Sequence, residues 1–481
     1  MATATSTTPS SPQGLRRELG LASTTSAVIG GIIAVGIFLT PAGMAKALGS
    51  PLWLLLVWLV IGAMTLSGAL CFGELAGRFP SAGGAYIYLK ECYGRRIAFL
   101  FGWMCLLVMD PAITASLATG LAGYFAYIVP LPPLLIKLVG VAAIWALCLM
   151  NIFSVRMSAG FLRWTTWLKL GLLGFLTVWA FAFRLGSWSN FVPFAAQHPG
   201  SLPLAPALAV GVVGAFFSFG GWWDVSKMTG EIRDPGRTLP RAIALGVLVV
   251  TVVYITTSAV FMYLVPVERV TSGETFAAQA GEVLFGTAGQ KIFAAIVVVS
   301  VLGSLAAVIM TAPRVYYAMA RDGLFFSAAA SIHPRFGTPA LAIAIQATLA
   351  CVLIALGTFR QIVAYFIFIT VIFIGLTVAA VFVLRRRKGD SSYLAPGYPI
   401  TPVIFLTLVV LLLVLLVGTN PTEALLGTVV VALGLPVYQF VVRKRNSLQE
   451  RTRRQAARSA PDEKRKSDTV SLVELKKPCD V

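Results

Sequence analysis

The chain alternates between long apolar runs and short polar connections from residue 21 to residue 442. About 20 apolar residues are needed for an α-helix to cross a bilayer. The segment 266–286 is too polar to cross and is predicted to be an outer amphipathic connection. The remaining runs predict twelve spans, at residues 21–47, 52–77, 97–128, 134–153, 160–183, from 206 through Glu231, 241–265, 287–320, 339–357, 361–384, 400–418 and 422–442. We therefore predict an all-α membrane protein with twelve transmembrane helices.

Two of these runs are interrupted by glycine at corresponding positions. Gly30-Gly31 and Gly36 lie in span one, and Gly220-Gly221 lies in span six. Glycine in a helix interior costs about 1 kcal/mol relative to alanine, and main chain freed in a bilayer must find another polar partner or line a cavity. Paired interruptions of this kind indicate a transporter's substrate site. We predict that both helices are broken near mid-depth.

The interruptions divide spans one to ten into two halves of five. An odd number of spans means that the second half inserts upside down relative to the first, which is an inverted repeat. We predict five segments: an N-terminal tail at 1–20, a first repeat at 21–185, a second repeat at 206–385, two extra helices at 400–442 and a C-terminal tail at 443–481. Both tails are predicted to be cytoplasmic and disordered, and the C-terminal tail is basic.

Broken helices offer unpaired N–H groups at one end and unpaired carbonyls at the other, with opposite partial charges. A zwitterion matches both ends. We predict that the N–H groups of Val35, Gly36, Gly220 and Gly221 hold a carboxylate, that the carbonyls of Ile32, Phe217 and Phe219 hold an ammonium group, and that Phe219 and Trp222 wall the side-chain pocket. Close helix packing is the alternative explanation for the glycines.

Lys169 lies about nine residues into span five, among Trp164, Trp167 and two leucines. Ionisable groups inside a membrane mark functional sites by default. A buried lysine suits a proton carrier, because burial favours its neutral form. If it stays protonated, it could replace a bound sodium ion. The alternative is that the side chain reaches the cytoplasmic interface.

Asp110 precedes Pro111 at about mid-depth in span three. Three roles are open: a counter-ion for Lys169, a selectivity determinant for basic substrates, or a group satisfied by main chain freed at the proline. Asp224 and Lys227, three residues apart, are expected to form a local helix pair. Glu231 and Arg237 are expected to brace a cytoplasmic gate.

The formal net charge of +19 raises the possibility of a nucleic-acid partner. The basic residues lie mostly in every second loop and in the C-terminal tail, however, as the positive-inside rule requires when both termini are cytoplasmic. The opposite loops carry six, at Lys46, Lys137, Arg184, Arg269, Lys291 and Arg360. The net charge therefore reflects the orientation of the chain in the membrane. We predict a protein of the plasma (cell inner) membrane without a nucleic-acid partner.

The chain carries little else that points to chemistry. Its six cysteines lie mostly within apolar runs and show neither metal-ligand spacing nor a disulfide framework. There is no nucleophile with its base, no phosphate loop and no metal-ligand cluster. We predict that the protein is not an enzyme and needs no cofactor or metal. The oligomeric state is open.

The sequence resembles the amino acid–polyamine–organocation superfamily, and within it the L-type amino acid transporter family and its bacterial relatives. The resemblance covers roughly residues 20–440. It is carried by the motif from Phe217 through Pro240, by Glu74-Leu, Pro80, Gly83-Gly84, Tyr86 and Tyr88 near the end of span two, by Arg314, Tyr317, Arg321, Asp322 and Gly323 near the end of span eight, and by Lys169. The resemblance implies a five-plus-five inverted-repeat (LeuT-type) fold and sodium independence, because Lys169 matches a lysine that stands in for a sodium site.

The chain departs from the family pattern at the first break. The usual Ile-Gly-Ser-Gly-Ile-Phe is here Ile33-Ala34-Val35-Gly36-Ile37-Phe38, so Val35 is expected to alter substrate size or affinity. Family members that pair with a glycoprotein heavy chain carry a cysteine between spans three and four. This chain has Val129-Pro-Leu-Pro-Pro there, which implies no disulfide-linked heavy chain.

We predict a sodium-independent secondary transporter that moves amino acids by alternating access, as an exchanger or a proton symporter. Two alternatives are open. A carrier of polyamines or other organic cations is favoured if Asp110 faces the pocket. A sensor of the same fold that binds amino acids without transporting them would account for Val35.

Overall fold

The computed structural model of the protein describes residue 17 and residues 19–269, 273–356, 359–387, 391–419 and 421–459. The α-helices in these residues are α1 (Leu21–Ile32), α2 (Gly36–Leu48), α3 (Pro51–Arg78), α4 (Ala85–Tyr93), α5 (Arg95–Met104), α6 (Asp110–Ile128), α7 (Pro133–Phe153), α8 (Val155–Ala182), α9 (Leu204–Phe219), α10 (Pro235–Leu264), α11 (Gly273–Phe285), α12 (Gly289–Thr311), α13 (Pro313–Arg321), α14 (Ala340–Leu356), α15 (Phe359–Arg386), α16 (Ile400–Thr419) and α17 (Pro421–Ser459).

The protein is an all-helical membrane protein. Ten helical segments in the described part of the chain are long and apolar enough to cross a membrane, and the bent pair of α1 and α2 makes an eleventh. The predicted total of twelve also counts α14, a shorter apolar helix of 17 residues. That total, and the inverted repeat, stay predictions. The polar connection before residue 287 contains α11, which has 13 residues.

Both predicted interruptions coincide with helix ends. Helix α1 ends at Ile32, α2 begins at Gly36, and the two axes differ by 44°. Helix α9 ends at Phe219, and after a four-residue turn the chain continues as a 3₁₀ helix from Asp224 to Glu231. The second half of span six is therefore more tightly wound than an α-helix, a geometry common at functional hinges.

Helices on both sides hold the two breaks together. Helix α2 packs along α9, while α1 is enclosed by α8, α10 and α12. The approach of α2 to α9 depends on Gly36, because a Cβ at that position would lie 2.7 Å from the Cα of Ser218. Thr40 and Ser218 hydroxyls hydrogen-bond to each other at 2.7 Å across the same contact.

The ends of the chain differ from the expected tails. Helix α17 continues beyond the predicted boundary at residue 442 to Ser459, where a disordered tail was predicted. The segment after Arg443 is rich in Arg, Gln, Glu and Ala, and it contains no glycine or proline before Pro461. These residues favour a helix, which explains the extension. Residues 460–481 and nearly all of the predicted tail at 1–20 lie outside the described residues.

Candidate functional site

A pocket lies between the two breaks. Five of the eight predicted substrate-binding residues line it: Ile32, Gly36, Phe217, Gly220 and Gly221. The other lining residues are Gly31, Ala34, Ile113, Ser116, Leu117, Phe216, Ser218, Trp223, Asp224, Val308, Ile367 and Thr370. The lining therefore combines both broken spans with α6, α12 and α15.

Phe219 and Trp222, the two residues predicted to wall the pocket, do not line it. Phe219 packs against Trp58 and Tyr254, with ring centroids 6.1 and 5.1 Å away. Trp222 packs against Phe72 at 4.9 Å. The break explains the error, because helical periodicity no longer specifies the direction of a side chain once the helix has ended at Phe219. Phe216, Phe217 and Trp223 are the aromatic residues that line the pocket.

Val35 also lies away from the pocket. The side chain is fully buried, and its Cγ2 atom would lie 2.7 Å from a Cβ placed on Gly120 of α6. Gly120 thus leaves room for the branched side chain. Ala34, which the sequence did not single out, lines the pocket in its place. An altered substrate preference caused by the Val35 side chain is therefore not supported by its position.

Lys169 is buried at the end of α1 and does not reach the cytoplasmic interface. Only 1% of its surface is exposed. Its Nζ donates to the main-chain oxygens of Gly30 at 3.1 Å and Ile33 at 2.6 Å, and to Ser304 Oγ at 3.0 Å. Ser304 Oγ also lies 2.8 Å from each of the two main-chain oxygens. The Lys169 side-chain nitrogen therefore lies at the negative end of the α1 dipole.

Tyr254 of α10 connects the two breaks. Its hydroxyl oxygen lies 2.9 Å from the main-chain oxygen of Ile32 and 2.8 Å from that of Ser218. The phenol has a single proton to donate, so the two carbonyls share it. No local sequence pattern indicates a role for this residue, because it lies in an ordinary apolar helix 36 positions after Ser218.

Several of the main-chain groups predicted to bind substrate are already paired. Gly220 N–H donates to the Phe217 carbonyl at 3.0 Å, which closes the turn after α9. The Ile32 carbonyl accepts from Tyr254. Gly221, with a φ of 96°, adopts a conformation that favours glycine. Gly220 N–H, Phe217 O and Ile32 O therefore stabilise the breaks in this structure, and their contact with substrate stays a prediction.

The first turn of α2 remains suited to an anion. This helix begins at Gly36, which lines the pocket. The first N–H groups of an α-helix lack intrahelical partners, and they lie at the positive end of the helix dipole. Helix N-termini of this kind bind carboxylates and phosphates.

Asp110 is not the counter-ion of Lys169, and it does not line the pocket. Its Oδ1 accepts from Lys227 at 2.9 Å, and its Oδ2 accepts from the Tyr316 hydroxyl at 2.8 Å. Lys227 Nζ also lies 2.7 Å from Asp224 Oδ1, which is the predicted pair within span six. The long-range partners were missed because Asp110 and Lys227 are 117 residues apart.

Ion pairs also connect other parts of the fold. One involves the segment beyond the break in span six, and others lie at the ends of helices. Glu231, which was expected to brace a cytoplasmic gate or loop, accepts from Arg314 Nε at 3.0 Å. Asp322 Oδ2 accepts from Lys90 at 3.0 Å and from the Tyr86 hydroxyl at 2.8 Å. Burial, followed by the hydrogen bond to Asp322, raises the pKa of Tyr86 above its ordinary value. This phenol therefore remains a donor at physiological pH.

Sequence comparison agrees with this architecture. The pattern of the amino acid permease family matches residues 19–435. The serine/threonine exchanger SteT of Bacillus subtilis (strain 168) is 31% identical over 440 residues, covering 90% of this chain and 99% of that protein. The large neutral amino acids transporter small subunit 2 of Homo sapiens is 29% identical over 433 residues, covering 88% and 80%. The Asc-type amino acid transporter 1 of Mus musculus is 28% identical over 433 residues, covering 88% and 81%.

The matched region runs from the residues before α1 into α17, so it includes both breaks and every helix that lines the pocket. The resemblance that the motifs of spans two, six and eight indicate is therefore confirmed over residues 19–435. On its sequence and its helical architecture, this chain belongs to the amino acid permease family.

Proposed function

We propose that this protein binds one amino acid between the breaks of spans one and six and carries it across the membrane by alternating access. The observation that carries the proposal is the pocket that Gly31, Gly36 and Gly221 share, where the ends of two interrupted helices meet. The first turn of α2 suits the substrate's carboxylate. The names of the relatives, a serine/threonine exchanger and transporters of amino acids, support amino acids as the substrate class.

Transport is proposed to be independent of sodium. The Lys169 ammonium group already provides a positive charge for the Gly30 and Ile33 carbonyls. A sodium ion at the same carbonyls would be close to this ammonium, and two like charges in a buried site repel strongly. The energy source is then either exchange for a second amino acid or entry of a proton.

The alternating movement is proposed to follow the two repeats, residues 21–185 and 206–385. Rocking of one repeat against the other around a fixed site would open the pocket to each side in turn. We place both termini in the cytoplasm and the protein in the cell inner membrane, as the distribution of Lys and Arg suggests. The protein is proposed to act without a disulfide-linked heavy chain, since the turn at Val129-Pro-Leu-Pro-Pro has no cysteine.

Uptake of labelled amino acids into proteoliposomes that contain the purified protein tests the proposal. We expect time-dependent accumulation of at least one common amino acid. Stimulation by unlabelled amino acid inside the vesicles would indicate exchange, whereas stimulation by an inward proton gradient would indicate symport. Binding without flux would contradict the proposal and indicate a sensor. A polyamine carrier is less well supported, because Asp110 is paired with Lys227 away from the pocket.

A further inference from the structure

Two oxygen acceptors converge over Gly221 in the pocket. A Cβ placed on Gly221 would lie 3.1 Å from the main-chain oxygen of Gly31 and 3.8 Å from Asp224 Oδ2. The other carbonyls around the end of α1 are already used, since Gly30 and Ile33 accept from Lys169 and Ile32 accepts from Tyr254. The Gly31 oxygen and the Asp224 carboxylate therefore face the same small volume.

The Asp224 carboxylate is oriented toward this volume from the other side. Its Oδ1 lies 2.7 Å from Lys227 Nζ, which leaves Oδ2 on the side of Gly221. The residue is 7% exposed and lines the pocket. Among the residues that the structure describes, no hydrogen-bond donor is assigned to Oδ2. The Asp224 carboxylate thus lines the pocket with its Oδ2 on the side of Gly221.

The charges around Asp224 do not cancel. Lys227 is shared between Asp224 and Asp110, and the side chains of these three residues are at most 9% exposed. Tyr316, which bonds to the second oxygen of Asp110, contributes a neutral donor. Two carboxylates and one ammonium group leave one negative charge, which is costly in a buried site unless a cation neutralises it.

We infer that Asp224, together with the Gly31 carbonyl, binds the α-ammonium group of the transported amino acid, and that Lys227 and Asp110 position the Asp224 carboxylate. This inference rests on the proposed function. It assigns the ammonium group to a charged side chain, in addition to main-chain oxygens. The strength of the contact follows from charge, because hydrogen bonds between ionised partners are roughly twice as strong as neutral ones.

The location favours the α-ammonium group over a cationic group on a substrate side chain. Gly31 precedes the first break and Gly36 opens α2 directly after it, so an acceptor and an anion site lie at opposite ends of one short segment. In an amino acid the ammonium and carboxylate groups are attached to the same carbon. The two ends of this break can therefore hold both groups at once.

The test is equilibrium binding of labelled L-leucine and L-serine to purified full-length protein in nanodiscs. Each labelled amino acid is displaced with its unlabelled form and with the matching 2-hydroxy acid, in which a hydroxyl group replaces the ammonium group. We expect the wild-type protein to prefer the amino acid. In Asp224→Asn this affinity should fall about 10- to 100-fold, and the preference over the hydroxy acid should shrink with it. Asp224→Glu should retain part of the preference.

Glu231→Gln is the matched control, because it removes a buried carboxylate from the same 3₁₀ helix, where Glu231 pairs with Arg314 outside the pocket. It should leave the preference for the amino acid unchanged. Wild-type affinity and preference in Asp224→Asn would overturn the inference. A loss of affinity in Asp224→Asn that is confined to L-lysine and L-arginine in a competition panel would also overturn it.

A measurement on the wild-type protein covers the case in which Asp224→Asn does not fold. The decarboxylated analogue of leucine, 3-methylbutylamine, should compete better than the 2-hydroxy acid, because the site carries a net negative charge. The opposite order would overturn the inference. If none of the common amino acids bound, the proposed function itself would be contradicted. The two failures are therefore distinguishable.

Discussion

Lys169 Nζ lies 2.6 Å from the main-chain oxygen of Ile33, inside the break between α1 and α2. A helix that ends within a membrane leaves its last carbonyls without donors. Here the donor comes from α8, and Ser304 of α12 binds to the same side-chain nitrogen. The end of the broken helix is therefore satisfied by a side-chain donor from another helix.

The first prediction concerns this lysine. Lys169→Met replaces the lysine with an apolar side chain of similar length. The variant therefore lacks the amine that donates to two buried carbonyls. Ser304 has one hydroxyl proton and can still satisfy only one of the two. A buried acceptor left unpaired costs about 1–3 kcal/mol, so we expect a lower melting temperature and a large loss of uptake in proteoliposomes. Lys137→Met is the control, because Lys137 donates to the Ala355 carbonyl at an exposed site on α7. Equal melting temperatures for the two variants would contradict the proposed role.

The second prediction concerns sodium. With the Lys169 ammonium group at the Gly30 and Ile33 carbonyls, no sodium ion is needed there. Initial uptake rates should be the same in sodium chloride and in choline chloride at equal ionic strength. A rate that rises saturably with sodium would show that the lysine does not replace the ion.

The third prediction concerns Tyr254, which no sequence motif indicates. Tyr254→Phe removes the hydroxyl shared by the carbonyls of Ile32 and Ser218. We expect the free energy of unfolding to fall by about 1–3 kcal/mol and substrate affinity to decrease, since both breaks lose a partner. Thermal melting and equilibrium binding measure the two effects. An unchanged affinity would mean that the bridge has no part in shaping the pocket.

The fourth prediction separates two neighbours in the first break. Val35 packs toward Gly120, whereas Ala34 lines the pocket. Val35→Ser should lower stability, because a buried hydroxyl without a partner costs about 1–3 kcal/mol, and should leave substrate preference unchanged. Ala34→Ser should change the order of amino acids in a competition panel. The reverse outcome would mean that Val35 contacts substrate.

The glycines of spans one and six were sufficient to predict where the helices break, because their effect on a helix is local. The direction of side chains within the breaks was not predictable. Phe219, Trp222 and Val35 were misplaced because an interrupted helix has no fixed period. Partners such as Ser304 and Tyr254 were missed for a different reason. They come from other helices, and nothing in the local sequence of either residue indicates which helix end it meets.

The buried charges show the same limit. The pair of Asp224 and Lys227 was predictable, because three residues separate them in the sequence. The pairing of Asp110 with Lys227 was not, and Asp110 was considered as a partner for Lys169 instead. The membrane-spanning helices followed from the apolar runs alone, whereas the assignment of each charge required the positions of the helices.

The central claim is that an amino acid occupies the space where the two broken helices meet, and Gly221→Ala tests it most directly. Gly221 has a φ of 96°, and a Cβ at this position would lie 3.1 Å from the Gly31 carbonyl, inside the pocket. The control is Gly43→Ala in α2, where a Cβ would meet nothing within 4 Å. The measurement is equilibrium binding of a labelled amino acid to both variants in nanodiscs. We expect Gly43→Ala to bind like the wild-type protein and Gly221→Ala to bind at least about tenfold more weakly. Wild-type affinity in a folded Gly221→Ala variant would contradict the account.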